Sequence, residues 1–142
     1  MRIRRADLID AKGLAACIDA AYAPARARGI DLPPVSEGVD QDIRDHLVWV
    51  AEDCDIRGGI VVAMHGNRAH LVNIAVHPAS GGQGIGKQLI ETALGVAQDR
   101  GALWMDLATH VDMPENVVLY GHLGWQETGR EANKVLMTRR LK

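Results

Sequence analysis

Four glycines stand within six residues near the middle of the chain, where they could bind an anion through the backbone. They are Gly81, Gly82, Gly84 and Gly86. Apolar residues alternate at 72–76 before them, and apolar residues recur at helical spacing from 85 to 97 after them, so the order is strand, loop, helix. The first turn of a helix carries unpartnered N–H groups and partial positive charge, and glycine lets an anion approach closely. The pattern therefore predicts a phosphate-binding loop.

Two familiar phosphate loops fit this stretch poorly. The dinucleotide fingerprint G-x-G-x-x-G needs a third glycine where the chain has Lys87 or Leu89. The P-loop pattern G-x-x-x-x-G-K-[ST] matches from Gly81 to Lys87, but Gln88 stands where a hydroxyl would hold Mg²⁺. A P-loop-like nucleotide binder is therefore kept as an alternative function.

The same stretch resembles motif A of the GNAT superfamily of acyl-CoA-dependent N-acyltransferases. In that motif an apolar strand ends in V-x-P, and the loop [QR]-x-x-G-x-[GA] leads into a helix. Here the sequence VHP at 76–78 precedes the loop, and a glycine replaces the usual Gln or Arg. The resemblance implies that acetyl-CoA is the co-substrate and that the loop backbone holds the pyrophosphate of coenzyme A. The loop residues are Gly81, Gly82, Gln83, Gly84, Ile85, Gly86 and Lys87.

A second stretch, LYGHLGW, resembles the family's C-terminal Y-x-x-x-G-[FWY] segment. The resemblance implies that the hydroxyl of Tyr120 lies near the sulfur of coenzyme A and acts as general acid. The family's frequent Asn would fall on Met113, but Asn116 lies four residues before Tyr120 on the same helix face and could contact the cofactor. The resemblance also implies that a strand N–H polarises the thioester. By position it belongs to Ile74, Ala75 or Val76.

The attacking amine must be neutral, and an alkylamine is neutral in only roughly 4 of 10,000 molecules at pH 7. A base or a water relay would supply the neutral form. His77 and His110 are the base candidates, because both follow strands and histidine titrates in the right range. A surface-loop histidine is the alternative for each. Acidic residues of the second predicted helix could steer a cationic acceptor, or could form a solvated face: Glu37, Asp40, Asp42 and Asp45.

Periodicity predicts a mixed α/β fold with a mostly antiparallel sheet, which is the class of the GNAT fold. The predicted order is β-α-α-β-β-β-α-β-α-β, with a parallel pair after the glycine loop. Strands are expected at 1–5, 47–52, 60–64, 69–76, 103–108 and 134–141. Helices are expected at 7–28, 35–47, 85–100 and 112–124. Residues 55–59 are expected to form a turn.

Particular residues predict how the helices begin and end. Pro24 is expected to kink or end the first helix, on whose apolar stripe Tyr22 falls. The pair Pro33-Pro34 should force an extended segment. Ser36 is the predicted N-cap of the second helix. Asp112 is the predicted N-cap of the last helix, completing a capping box with a glutamate three residues on.

Composition indicates one soluble domain over residues 1–142, with 47% apolar and 24% charged residues. The net charge of −2 shows no excess of basic residues of the kind that nucleic-acid-binding proteins carry. No apolar run has the length of a membrane span, and the N-terminus lacks the apolar segment of a signal peptide, so a cytoplasmic location is expected. Cys17 and Cys54 lack metal-ligand spacing and are expected to be free thiols, with no metal site.

The leading function is transfer of an acetyl group from acetyl-CoA to a primary amine by direct attack on the thioester. A non-catalytic acyl-CoA sensor would bind the cofactor without turnover, and a P-loop binder would need a hydroxyl for Mg²⁺ and a parallel sheet. The acceptor is expected to be a small molecule or a peptide amine. A homodimer would agree with the resemblance, since dimers are common in that family.

Overall fold

One seven-stranded sheet organises this computed structural model, which describes residues 1–32 and 36–141. The strands are β1 (Arg2–Arg5), β2 (Leu47–Asp53), β3 (Asp55–His65), β4 (Arg68–Val76), β5 (Trp104–His110), β6 (Gln126–Glu131) and β7 (Lys134–Arg140). The α-helices of the described residues are α1 (Ala11–Ala27), α2 (Val39–Asp45), α3 (Ile85–Asp99) and α4 (Pro114–His122). The sheet order is β1-β2-β3-β4-β5-β7-β6, and among these described strands only β4 and β5 pair in parallel. The predicted mixed sheet with a parallel pair after the glycine loop is confirmed.

The sheet separates two apolar cores. The stripe predicted for α3 is buried on one face, with Ile85, Leu89, Ile90, Ala93 and Ala97 inside the larger core. Helices α1 and α2 cover β2, β3 and β4 on the other face through residues that include Leu14, Ile18 and Val39. Full burial of a side chain such as leucine contributes roughly 1.5–3 kcal/mol. The two cores therefore fix α1 and α3 on opposite faces of the same strands.

Gly58 and Gly59 lie inside β3, so the turn predicted at residues 55–59 is wrong. The chain instead reverses at Cys54, which takes a left-handed φ of 64°. A Cβ on Gly59 would lie 2.3 Å from Cδ1 of Leu14 in α1. A Cβ on Gly58 would lie 3.0 Å from Cγ2 of Ile85 in α3. The two glycines are thus strand residues that let a helix approach β3 closely from each face.

The first two helices differ from their predicted ends. α1 continues through Pro24 to its last residue, because a proline in the final turn removes only one backbone donor from a long helix. α2 begins after Gly38, which is its N-cap with φ 76°, and Ser36 lies in the turn before it. The predicted cap at Ser36 is therefore wrong. The extended segment predicted at Pro33-Pro34 falls outside the described residues.

The last helix is also capped differently, and one strand was missed. Met113 is the N-cap of α4, without a side-chain hydrogen bond, so the predicted cap at Asp112 is wrong. The backbone N–H of Asp112 donates to Nδ1 of His110, and Glu115 pairs with Arg28 rather than completing a capping box.

β6 adds a strand to the predicted order. It is mostly exposed at the sheet edge, so it lacks the apolar alternation that marks a strand.

The sheet opens between its two parallel strands. Residues 68–70 of β4 pair with residues 104–106 of β5, and no pair follows within the described sheet. Beyond that point β4 stays with β3, after a register shift at Val61 and Val62, while β5 stays with β7 as far as His110. The edge of β4 over residues 71–76 is therefore without a neighbouring strand. We call this gap the β4–β5 opening.

Replacing Gly59 with alanine tests the close approach of α1. Because the new Cβ would collide with Leu14, we expect Gly59→Ala to lower the free energy of unfolding by about 1–3 kcal/mol. Denaturant unfolding measures this change. Gly95→Ala is the control, since Gly95 is helical and a Cβ there meets no atom within 4 Å. It should raise stability by roughly 0.5–1 kcal/mol. Equal stability of Gly59→Ala and the native chain would contradict the packing.

Candidate functional site

The glycine loop carries the chain from β4 into α3. It begins with a 3₁₀ turn at Pro78–Ser80, whose N-cap is His77. The imidazole Nδ1 of His77 accepts the N–H of Ala79 at 3.1 Å. Gly82 and Gly84 take φ of 78° and 76°, where other residues are strained, and a Cβ on either would meet no atom within 4 Å. Backbone conformation therefore requires these two glycines, and they leave the surface of the loop uncovered.

The first turn of α3 presents its N–H groups at this loop. Gly84 is the N-cap and offers no side chain to the helix end. The N–H of Gln88 donates to the carbonyl of Gly84 at 3.1 Å, which closes the first helical turn. The N–H groups of Ile85, Gly86 and Lys87 precede that bond and have no intrahelical partner. Together with the helix dipole, these three amides favour a bound anion.

Gly81 and Gln83 complete the loop, and the conformational reason for glycine at positions 82 and 84 does not apply to position 81. Gly81 takes φ −64°, which any residue can adopt, and its N–H donates to the carbonyl of Pro78 at 3.3 Å. A Cβ on Gly81 would make an ordinary contact of 3.5 Å. The side chain of Gln83 is exposed. The backbone thus does not require glycine at position 81, where the resembling motif carries Gln or Arg.

Two amides of β4 face the β4–β5 opening. The N–H of His77 donates to the carbonyl of Arg57 at 2.8 Å. This bond fixes which residues of β4 direct their N–H groups at β3 and which direct them away from it. Hydrogen-bonded residues alternate with non-bonded ones in an antiparallel pair. The N–H of Ala75 is therefore directed at β3, while those of Ile74 and Val76 point to the opening. Of the three strand residues predicted to meet a thioester, two are oriented to donate to one.

Tyr120 reaches the opening from α4. The residue is 8% exposed, and its ring packs edge-to-face on Trp125, with 5.8 Å between ring centroids. Trp125 is held in turn by a hydrogen bond from Nε1 to the carbonyl of Met105 at 3.0 Å. Burial, together with a smaller contribution from nearby Tyr22, raises the pKa of Tyr120 to about 12. The hydroxyl of Tyr120 is therefore protonated at neutral pH and able to donate.

Tyr22 and Asn73 meet at the same opening, and sequence reasoning missed them. The hydroxyl of Tyr22 donates to Oδ1 of Asn73 at 2.6 Å. Asn73 is 7% exposed, and burial raises the pKa of Tyr22 whereas Arg26 lowers it. Tyr22 fell on a helical apolar stripe and Asn73 inside a strand, so neither carried a sequence signal. The contact depends on the register shift in β4, which leaves Val72 exposed and Asn73 inside.

His77 and His110 end their strands as expected, but both use Nδ1 for local hydrogen bonds. The Nδ1 of His110 accepts the N–H of Asp112 at 3.0 Å, and its Nε2 lies 3.4 Å from the side-chain amide of Asn133. The Nδ1 of His77 accepts the N–H of Ala79. A neutral imidazole that accepts at Nδ1 carries its proton on Nε2. Neither ring thus offers a free lone pair in this conformation.

Asn116 lies on the first turns of α4, close to β5. Its Nδ2 donates to Oγ1 of Thr109 at 3.2 Å and lies 3.7 Å from Sδ of Met113. These contacts brace α4 against β5 and so help to place Tyr120. Contact between Asn116 and the cofactor stays a prediction.

The acidic residues around α2 lie on a helix that packs on α1 and β2. Asp40 lies 3.6 Å from Arg44 one turn away, and the carboxylate of Asp45 accepts from Gln41 at 2.8 Å. Local partners of this kind favour a solvated helix face over an acceptor-steering patch. Exposed pairs such as these contribute roughly 0.2–1 kcal/mol.

Residues 1–32 and 36–141 contain no group of three or more His, Cys, Asp and Glu side chains placed to share a metal ion. Across those residues, no helix combines the length and apolarity needed to cross a bilayer.

Comparison with known proteins gives a consistent family and fold. The family model described as acetyltransferase (GNAT) domain matches residues 44–127. The PaiA N-acetyltransferase of Thermoplasma acidophilum, solved with coenzyme A, superposes with a TM-score of 0.88 at 19% identity over 98% of both chains. The ribosomal-protein-S18-alanine N-acetyltransferase of Escherichia coli gives 0.81 at 18% identity, over 99% of this chain and 94% of that one. Aminoglycoside 6'-acetyltransferase type Ii gives 0.80 at 18%, over 100% and 98%. The shared fold spans the full length.

The burial of Tyr120 can be tested by titration. Because the chain has two tyrosines, Tyr22→Phe leaves Tyr120 as the only one. We expect its absorbance transition clearly above the ordinary value in the folded variant, because burial, the larger of the two causes that raise this pKa in the native chain, is still present. In denaturant the transition should lie near the ordinary value of about 10. A group with a raised folded pKa contributes stability that is complete below pH about 10 and lost as the pH rises toward 12. A folded transition near 10 would show an exposed hydroxyl.

Proposed function

Because this chain belongs to the GNAT acetyltransferase family, we propose that it transfers an acetyl group from acetyl-CoA to a primary amine of a small-molecule or peptide acceptor. Acyl transfer from coenzyme A is the reaction of the family. The acetyl donor, the amine acceptor and the residue roles are the proposed part. The observation that supports them is the placement of unpartnered α3 amides beside the open edge of β4.

The loop residues fit a diphosphate. The amides of Ile85, Gly86 and Lys87 converge at the start of α3, and Gly82 and Gly84 leave no side chain over them. A diphosphate there would gain backbone hydrogen bonds and a favourable helix dipole. When bound, acetyl-CoA supplies an activated thioester carbonyl. The chain holds its anionic end and leaves the β4–β5 opening for the reacting end.

Two groups at the opening complement the reacting atoms. The N–H groups of Ile74 and Val76 are oriented to donate to a carbonyl oxygen on which negative charge develops. Removing one such donor typically costs 10²–10³-fold, roughly, in turnover. Tyr120 donates to the sulfur as it leaves, since burial keeps its hydroxyl protonated. The amine nitrogen forms its bond to carbon as the carbon–sulfur bond breaks, and Tyr120 supplies a proton to sulfur. The amine loses one proton to water, and the tyrosinate then recovers a proton from water, so Tyr120 is regenerated.

The neutral amine is supplied from solution or through water in this proposal. His77 and His110 carry no free lone pair in this conformation, so no step is assigned to either. The nucleotide-binding alternative lacks support, because the sheet is mostly antiparallel and Gln88 provides no hydroxyl. The other alternative, a non-catalytic acyl-CoA sensor, would bind the cofactor without turnover, so a turnover assay distinguishes it from an enzyme. A homodimer and a cytoplasmic location stay predictions.

Ligand-induced stabilisation tests the anion site. We expect acetyl-CoA at 100 times its Kd to raise the free energy of unfolding by about 2.7 kcal/mol, and Mg-ATP to leave the melting temperature unchanged. Release of free thiol against a panel of amines then distinguishes an enzyme from a sensor. Stabilisation by Mg-ATP alone would overturn the proposed function.

A charge placed at the loop tests its contact with the diphosphate. Gly86→Asp puts a carboxylate at the helix N-terminus, which suits the free protein but repels a bound anion. At about 6 Å and an effective dielectric near 20 the repulsion is about 3 kcal/mol, so acetyl-CoA binding should weaken on the order of 100-fold. Gly95→Asp, in the far half of α3, makes the same charge change at an open position. Calorimetry should show near-native affinity for that control, and equal losses in both variants would contradict the site.

Replacing Tyr120 tests its role as proton donor. Tyr120→Phe keeps the edge-to-face contact with Trp125 and removes only the hydroxyl. We expect kcat to fall roughly 100-fold or more, because a positioned acid contributes at least that much. The Kd for acetyl-CoA should stay within about twofold, since the amides of α3 are unchanged. Steady-state kinetics and calorimetry measure the two effects, and an unchanged kcat would remove Tyr120 from the mechanism.

A further inference from the structure

Tyr22 and Asn73 lie where an acceptor would have to enter. Asn73 comes directly before Ile74, whose N–H faces the β4–β5 opening. Tyr120 belongs to the core on the α3 face, whereas Tyr22 packs against the core on the α1 face. The two tyrosines are close enough to each other for Tyr22 to raise the pKa of Tyr120. The two hydroxyls therefore approach the opening from opposite faces of the sheet, so a donor thioester beside Tyr120 leaves the Tyr22 side for the amine.

The hydrogen bond between Tyr22 and Asn73 leaves specific groups unused. The Tyr22 hydroxyl donates its one hydrogen to Oδ1 of Asn73, so the lone pairs of the hydroxyl oxygen can still accept a hydrogen bond. The Nδ2 of Asn73 has no hydrogen-bond partner among the described residues, and it keeps some contact with solvent. The pair thus offers one acceptor and two donor hydrogens at one point.

Among residues 1–32 and 36–141, the groups that bond to this pair or act on it electrostatically are neutral or cationic. Tyr22 faces Asn73 of β4 and Tyr120 of α4, both uncharged at neutral pH. The charged side chain that acts on Tyr22 is the cation Arg26. At the outer ends of α1 and α4, Glu115 is already paired with Arg28 at 3.0 Å. An alkylammonium ion would therefore lose its water and gain no carboxylate, a combination that is unfavourable.

We propose that Tyr22 and Asn73 form the subsite that receives the acceptor amine, and that this subsite selects α-amino groups over the more basic alkylamines. The inference rests on the proposed function. The oxygen of Tyr22 accepts an N–H of the neutral amine, which turns the nitrogen lone pair toward the thioester. Asn73 positions that hydroxyl, and its Nδ2 donates to the carbonyl that follows an α-amino group in an amino-acid amide or a peptide.

Basicity strengthens this selection. An α-amino group has a pKa of about 8 and an alkylamine a pKa of about 10.4, so at pH 7 their neutral fractions differ by roughly 200-fold. A subsite without a carboxylate keeps this difference, because it does not bind the ammonium form and withdraw its proton. The bond that forms is the same for both amines, with one proton passing to water and one passing from Tyr120 to sulfur.

Matched amines and matched variants test the proposal. L-alaninamide, an alanine tripeptide amide and n-butylamine are compared at pH 7 with acetyl-CoA, and thiol release is measured. We expect kcat/KM for the two α-amines to exceed that for n-butylamine by at least about 200-fold. The small amide and the tripeptide distinguish a small-molecule acceptor from a peptide acceptor. A preference for n-butylamine would overturn the proposal.

Two substitutions separate the roles of the pair. Tyr22→Phe removes the accepting oxygen, so the KM for L-alaninamide should rise roughly 2- to 10-fold while the KM for acetyl-CoA is unchanged. Asn73→Asp keeps an acceptor for the Tyr22 hydroxyl but adds a carboxylate. It should reduce the selectivity against n-butylamine on the order of 10-fold. Asn67→Asp, in the exposed turn between β3 and β4, makes the same chemical change and should alter neither quantity.

The outcomes distinguish this inference from the proposed function. Calorimetry of acetyl-CoA with the native chain reports on the proposed function alone, and absence of binding would overturn it. Binding and turnover together with an unchanged amine KM in Tyr22→Phe would overturn the subsite. Melting temperatures of the variants show whether each is folded. A rise in the KM for acetyl-CoA rather than for the amine would place the pair on the donor side, against the inference.

Discussion

The parting of β4 from β5 is the constraint on which the site depends. Backbone N–H and C=O groups need partners, and a strand edge that loses its neighbour must find them in water or in a ligand. Here the parallel pair lasts for residues 68–70 and 104–106 and then ends, while each strand keeps its other partner. The result is a polar edge inside the sheet, with Ile74 and Val76 presenting N–H groups at the domain centre rather than at its rim.

Close packing brings the functional groups to that edge from three directions. Gly58 and Gly59 remove side chains from the middle of β3, which lets α3 and α1 press on its two faces. α3 then begins beside the end of β4 with first-turn amides that have no partner within the helix, and α1 carries Tyr22 to Asn73. α4 completes the arrangement, since Trp125 and the contacts of its first turns hold Tyr120 over the gap.

Electrostatics give the two ends of the site different preferences. At the loop, helix amides and a dipole favour an anion without any charged side chain. At the opening, burial raises the pKa values of both tyrosines, so their hydroxyls stay neutral and act as hydrogen-bonding groups. His77 and His110 support loops through Nδ1. The loop therefore attracts a polyanionic carrier, whereas the groups that line the β4–β5 opening are mostly uncharged.

Local patterns in the sequence determined the glycine loop, the helix that follows it and the segment that carries Tyr120. The strand-loop-helix order and the apolar stripe of α3 depend on residues close in the chain, so spacing alone predicts them. Only the tertiary structure decided which polar groups meet. Tyr22 and Asn73 are 51 positions apart, and a register shift in β4 turns Asn73 inward. Such contacts depend on sheet register and helix approach, which distant residues set together.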